Sequence, residues 1–112
     1  MKHEMHLDPL PFDEMSSGLK IIESRVNDEK RQKVKVGDII EFSKRPEDKD
    51  KIEVRVLEIH QYTSIKDLVN STPLEYWGPR FKSKEQLLQG SWHYSDEEIK
   101  KHGLLAIKIK KL

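Results

Sequence analysis

A chain of 112 residues fits one domain and leaves little room for a second. Hydrophobic residues make up 35% and charged ones 37%, so the core is small and the surface densely charged; the apolar residues fall in periodic runs, which argues for a fold rather than disorder. With 21 Lys and Arg against 20 Asp and Glu, the net charge of +1 excludes a whole-protein basic field, and the lack of cysteine excludes disulfides, thiolate metal sites and cysteine nucleophiles.

The segment Met1–His6 carries no apolar signal region, and no run approaches the length of a membrane span, so the expected location is the cytoplasm with no membrane contact. Abundant Lys and Glu without Cys also suits a thermophile. Glu4 to Leu7 reads as a first strand. Pro11 suits the first turn of a helix, with Asp13 and Glu14 near its positive end and Gly18 as its stop.

Lys20 to Val26 reads as a strand in which Leu19, Ile21 and Ile22 supply burial while Lys20, Glu23 and Arg25 interrupt it. Asn27 to Arg31 is expected to be a charged turn or loop, and Val34 to Val36 leads into Gly37-Asp38. Ile39 to Phe42 has the β-branched and aromatic content of a buried strand, and Ser43 to Lys51, with Pro46 and alternating charges, is an exposed connection. Ile52 to Ile59 alternates: Ile52, Val54, Val56 and Glu58 share one side, Glu53, Arg55, Leu57 and Ile59 the other. This strand is expected to become more fully buried toward Leu57 to Ile59.

Ser64 to Val69 is a short helix capped by Thr63 or Ser64. Two prolines and Gly78 make Thr72 to Arg80 irregular. Ser83-Lys84-Glu85-Gln86 and Ser95-Asp96-Glu97-Glu98 each read as a capping box, with Gly90 and Gly103 as the respective stops. Leu104 to Ile109 is a terminal strand, and Lys108-Ile109-Lys110-Lys111 has the lysines of a solvated edge. About five or six strands with three or four short helices in this order predict a small α+β barrel.

Two constellations could carry chemistry. Glu23 and Arg25 share a face by strand period, with Lys20 nominally opposite unless a bulge brings all three together. A polar cleft would use Arg25 as a fork for phosphate or a base edge, Lys20 as a second cation and Glu23 as an acceptor. The bland alternative is a surface Glu23–Arg25 pair of little energetic weight. The second constellation is aromatic and basic: Tyr76, Trp77, Arg80, Phe81 and Lys82, then Trp92, His93 and Tyr94. Aromatic faces beside cations suit stacking on unpaired bases, although a small domain also needs such rings for its core. Trp77, inside the irregular loop, is the ring most readily spared for a ligand. The histidines His3, His6, His60, His93 and His102 stand apart without metal-ligand spacing, so no metal and no cofactor are expected.

Gly18-Leu19-Lys20-Ile21-Ile22-Glu23-Ser24-Arg25, followed by Val36-Gly37-Asp38-Ile39-Ile40-Glu41-Phe42, resembles the ASCH (activating signal cointegrator homology) family. The resemblance extends to the Asn27–Arg31 turn, the Tyr94–Glu98 helix start and Gly103 to Ile107. It implies a PUA-like β-barrel that binds RNA or a nucleotide, with Lys20, Glu23, Arg25, Trp77, Arg80 and Tyr94 as candidate ligand-binding residues. Some small bacterial members look like amidohydrolases that remove acyl groups from modified cytidine, through a motif lysine, a threonine three residues later and a distant glutamate. Lys20 matches that lysine, but Glu23 stands in the threonine's place, so the hydroxyl does not carry over. If the chain is a hydrolase of modified nucleosides or RNA, Lys20 and Glu23 are the candidate catalytic residues, as base and water-polarising group.

Overall fold

The structure, a computed structural model, describes residues 1–90 and 92–112. Five strands run through it: β1 (Lys2–Leu7), β2 (Ile22–Val26), β3 (Ile39–Lys44), β4 (Lys51–Tyr62) and β5 (Leu104–Lys111). They form one sheet in the order β1-β3-β4-β5-β2, parallel between β1 and β3 and antiparallel elsewhere. The sheet curls into a half-barrel, an α+β architecture of the PUA-like kind.

Five short α-helices decorate it: α1 (Pro9–Ser16), α2 (Glu29–Gln32), α3 (Ile65–Ser71), α4 (Lys84–Leu88) and α5 (Asp96–His102). A 3-10 turn, Leu74–Trp77, lies within the proline-bearing loop. The single-turn helix α2 replaces the expected loop because the Asp28 side chain accepts the Arg31 amide and caps it. Helix α1 begins two residues ahead of Pro11. Its first turn therefore holds no acidic residue, and Asp13 and Glu14 lie well along the helix. Ser95 and Glu98 close the full reciprocal box, whereas at α4 the Gln86 side chain accepts from the Lys82 amide, one residue outside the expected box.

Two apolar clusters sit on opposite faces of β5. Leu105, Ile107 and Ile109 join Met5, Phe42, Val54 and Val56 inside the curl, where Phe12 and Met15 of α1 cover them. Leu104 and Ala106 join Ile22, Val26, Leu68, Val69, Trp77 and Leu87 on the other face. Burial on both faces explains the unbroken apolar run Leu104 to Ile107. It also corrects the reading of β5 as an edge: this strand lies between β4 and β2, and only its lysine end, beyond the Ile22–Lys108 pair, overhangs β2.

The alternation in β4 breaks at Leu57. The pairing with β5 steps from Val56–Ile109 to Glu58–Lys108, leaving Leu57 as an extra residue in a bulge, 38% exposed rather than buried. Beyond the bulge, Ile59 packs against the inner cluster although it shares nominal parity with the outward Arg55.

Candidate functional site

The half-barrel leaves β1 and β2 as unpaired edges, and α1 crosses between them. At the end of α1, Gly18 takes a left-handed conformation (φ +81°), and the amides of Leu19 and Lys20 both donate to the Glu14 carbonyl, at 2.9 and 3.1 Å. The next amide, Ile21, donates to the Tyr76 carbonyl at 2.9 Å. Lys20 is thus fixed between the helix end and the 3-10 turn before β2 starts, and strand parity does not govern it. Leu19, expected to be buried, is 54% exposed on the outside of this turn.

Within β2, Ile22 and Val26 face the outer cluster, while Glu23 and Arg25 turn to the opposite face. Arg25 donates to the His6 carbonyl of β1 at 2.8 Å and to Glu23 Oε2 at 3.1 Å, and its guanidinium lies 5.9 Å from the centre of the Phe42 ring. The arginine therefore bridges the open seam of the half-barrel. Glu23 Oε1 accepts the Ser24 amide at 3.1 Å and faces Lys20 Nζ at 3.8 Å. The structure brings Lys20, Glu23 and Arg25 together, and the Glu23–Arg25 pair, which the bland alternative puts at the surface, has a buried carboxylate and a partly buried arginine.

Lys20 is only 4% exposed. Its ammonium sits 5.0 Å from the centre of the Trp77 ring and makes no hydrogen bond among the described residues. Burial lowers its pKa from the ordinary 10.5, and the Glu23 charge opposes this only in part. Burial alone would raise the Glu23 carboxyl, but the Arg25 and Lys20 charges with the Ser24 amide outweigh it and hold the pKa below 4.5.

These three residues floor a cleft of about 800 Å³. Its walls include Trp77, Phe81, Trp92, Tyr94 and Arg80, together with the corner His6 to Pro11 and Arg45. The Tyr94 hydroxyl donates to the Ser24 carbonyl at 2.6 Å, which fixes that ring against β2; burial pushes its pKa up to about 12. Trp92 donates from Nε1 to the Leu87 carbonyl and meets Trp77 edge to face, with centroids 5.9 Å apart.

Trp77 departs from its expected place. It is 3% exposed and belongs to the outer core cluster, so it backs the cleft floor while Phe81, Trp92 and Tyr94 are the half-buried rings. Tyr76 packs against the same cluster, and Lys82 is exposed and does not line the cleft.

Two contributors escaped the sequence reading. Glu14 reaches from α1 to receive Arg80 Nε at 2.5 Å, and its other oxygen is buried without a partner among the described residues. Gly78, with φ +99°, lies so near this carboxylate that an added Cβ would strike it. Arg45 enters the lining because its amide donates to the Leu7 carbonyl and brings the β3–β4 connection beside β1. Neither contact has a local sequence signal, since each joins segments far apart in the chain. Of the histidines, His3 binds Asp38 at 2.8 Å, His6 binds Asp48 at 3.1 Å and His93 faces Asp8 across the cleft mouth at 3.5 Å. No three potential metal ligands cluster among the described residues, and no helix described is long and apolar enough to cross a membrane.

No curated protein matches the sequence. Solved structures do, and among them two are each 35% identical: the crystal structure of hypothetical protein PH0355, with both chains fully covered and a TM-score of 0.82, and the solution NMR structure of protein PF0455 from Pyrococcus furiosus, covering all of this chain and 98% of that one with a TM-score of 0.74. The ASCH domain model matches residues 5–112, which takes in every residue lining the cleft, and the chain belongs to the ASCH domain family.

Proposed function

We propose that this protein is an RNA-binding module that takes one unpaired base into the cleft above Lys20, Glu23 and Arg25. The observation that carries this reading is the Lys20 ammonium: buried, without a hydrogen-bond partner among the described residues, and lining an aromatic cleft. A buried cation without hydrogen bonds is costly, and a ligand acceptor such as a base carbonyl or ring nitrogen removes that cost. Glu23 retains lone pairs for an exocyclic amino group, and Phe81, Trp92 and Tyr94 offer faces for stacking. Arg25 has a supporting role here, because one terminal nitrogen donates to both Glu23 and the His6 carbonyl and ties the guanidinium to the seam. Such a module acts where RNA is, in the cytoplasm.

The test is Lys20→Met, which keeps the stem's packing and leaves Glu23 paired to Arg25. Its melting temperature should stay within a few degrees of the parent. Binding of short single-stranded RNA should fall by roughly 10- to 100-fold, the scale of a lost charged hydrogen bond. Unchanged affinity in a folded variant would remove Lys20 from the site and end this reading.

One observation favours a second reading, a hydrolase of acylated cytidine: Lys20 is a lysine of lowered pKa beside a carboxylate. Against it, Glu23 occupies the threonine's place and is held by Ser24 and Arg25, so no hydroxyl nucleophile stands there. Steady-state assays with N4-acetylcytidine should show no efficient turnover. Robust turnover abolished by Lys20→Ala would make the enzyme reading primary.

A further inference from the structure

The cleft is more basic than the chain that builds it. Its lining carries four cations (Lys20, Arg25, Arg45 and Arg80) against two carboxylates (Asp8 and Glu23), on a protein whose net charge is +1. Two of these cations are already committed. Lys20 is buried at the floor, and Arg25 is spent on the seam between β1 and β2.

Arg80 and Arg45 stand differently. Both are exposed residues lining the cleft. Arg80 meets Glu14 through Nε alone, so the carboxylate fixes the plane of the guanidinium while its two terminal amino groups make no hydrogen bond among the described residues. Arg45 is held through its backbone amide by Leu7, and its guanidinium makes no hydrogen bond or ion pair among the described residues. The other three arginines are engaged through their terminal amino groups: Arg25 with His6 and Glu23, Arg31 with Asp28, Arg55 with Gly37. Among the described residues the arginines with both terminal groups free are therefore Arg45 and Arg80, and both line this cleft. A guanidinium with an open fork, its stem anchored elsewhere, has the geometry for bidentate contact with phosphate.

We infer that Arg80 and Arg45 form a phosphate subsite at the rim of this cleft, so that the unit recognised is a phosphorylated nucleotide and not a free nucleoside. The inference rests on the base-binding reading above and adds the charge on the ligand. Glu14 is a positioning residue: it touches no ligand, and it sets Arg80. Gly78 gives Glu14 room to do so, because any side chain there would occupy the carboxylate's place. The electrostatic part of binding resides at the exposed rim, where salt screens it, and the base contacts reside at the buried floor, where it does not.

The experiment titrates the full chain with the four ribonucleosides, with their 3′- and 5′-monophosphates, and with inorganic phosphate alone, at low and high salt. The preferred monophosphate should bind about tenfold or more tightly than its nucleoside at low salt, and the advantage should shrink as salt rises. Arg45→Gln and Arg80→Gln should each reduce this preference and leave nucleoside affinity unchanged. Because Arg80→Gln strips the partner from buried Glu14, the double variant Glu14→Gln/Arg80→Gln accompanies it; this pair should melt near the parent and still lose the preference. Glu14→Gln alone should weaken the preference with Arg80 intact. Equal affinity for nucleoside and monophosphate, with binding still lost in Lys20→Met, would overturn the phosphate subsite and leave the base-binding reading in place. A monophosphate preference that depends on Arg45 and Arg80 but survives Lys20→Met would uphold the subsite and overturn the base-binding reading. No binding of any of these probes would overturn both.

Discussion

Arg25→Ala is the perturbation that separates a structural clamp from a ligand-contacting residue. Truncation removes the bond to His6 across the seam and the bond to Glu23. Glu23, only 9% exposed, then keeps the Ser24 amide and a lysine 3.8 Å away, too far for a hydrogen bond. Breaking a buried ion pair by removing one partner costs about 3–5 kcal/mol, because the surviving charge stays desolvated. At about 4 °C per kcal/mol for a chain of this size, the melting temperature should fall by roughly 12–20 °C. The pH dependence sharpens the test. In the parent, the Glu23 pKa is held below 4.5, so its contribution to stability is present above pH 4.5 and is lost as pH falls through the folded value. Without Arg25, burial dominates and raises that pKa, so protonation now relieves the strain, and the gap in melting temperature between variant and parent should narrow as pH falls. Thermal melts by circular dichroism from pH 7 to pH 4 measure this, with Glu23→Gln/Arg25→Ala as the control that removes the orphaned charge. A folded Arg25→Ala variant melting within a few degrees of the parent at every pH would refute the clamp.

Lys20 has the same linkage sign as Glu23 in a more alkaline window, although its charged form is penalised rather than stabilised: its folded pKa lies below 10.5, so the burial penalty is present below the folded value and stability should rise as pH climbs from there toward 10.5, a rise that Lys20→Met should abolish in denaturant melts. Asp38, which accepts from His3 and the Lys35 amide, has a pKa lowered to about 2. Its contribution should be intact above pH 3.8 and lost as pH falls toward about 2, and acid titration of Asp38→Asn should lack that step. Gly78→Ala should destabilise by about 1–3 kcal/mol, since φ +99° with ψ 166° is a region that side chains strain to occupy and the new methyl meets Glu14. A Gly78→Ala melt matching the parent would mean that the loop shifts freely off α1.

Much of the fold was legible because local chemistry agreed with the final topology. The serine caps before α3, α4 and α5, the glycine after α1 and the β-branched run of β3 each act within a few residues. What failed depends on pairing. The bulge at Leu57 arises from the meeting of β4 with β5, and no residue type at position 57 announces it. The central place of β5 was hidden by its lysine end, which looks like an edge because it does overhang one neighbour. Pro11 drew the start of α1 two residues too late, since Pro9 is equally at home in the first turn.

The site divides along the same line. Three charges in an apolar strand advertise themselves, because each needs a partner or water, and Lys20, Glu23 and Arg25 do find one another. Their roles could not be read from spacing, because the deciding partners, the His6 carbonyl and the end of α1, come from other elements. Those partners also bear on position 23, where the chain departs from the lysine–threonine pattern that the sequence resemblance suggested. Glu23 is bound on one oxygen by Arg25 and on the other by the Ser24 amide, and Arg25 in turn closes the seam. A carboxylate freed for covalent chemistry would loosen the edge-to-edge bridge that gives the cleft its floor. Substituting threonine for Glu23 would therefore not install a nucleophile on an unchanged scaffold; it would leave Arg25 without its acidic partner at the seam. In this chain, holding the half-barrel shut and keeping Glu23 an acceptor are the same set of hydrogen bonds, which is the physical reason to read the cleft as a place where a nucleotide is held.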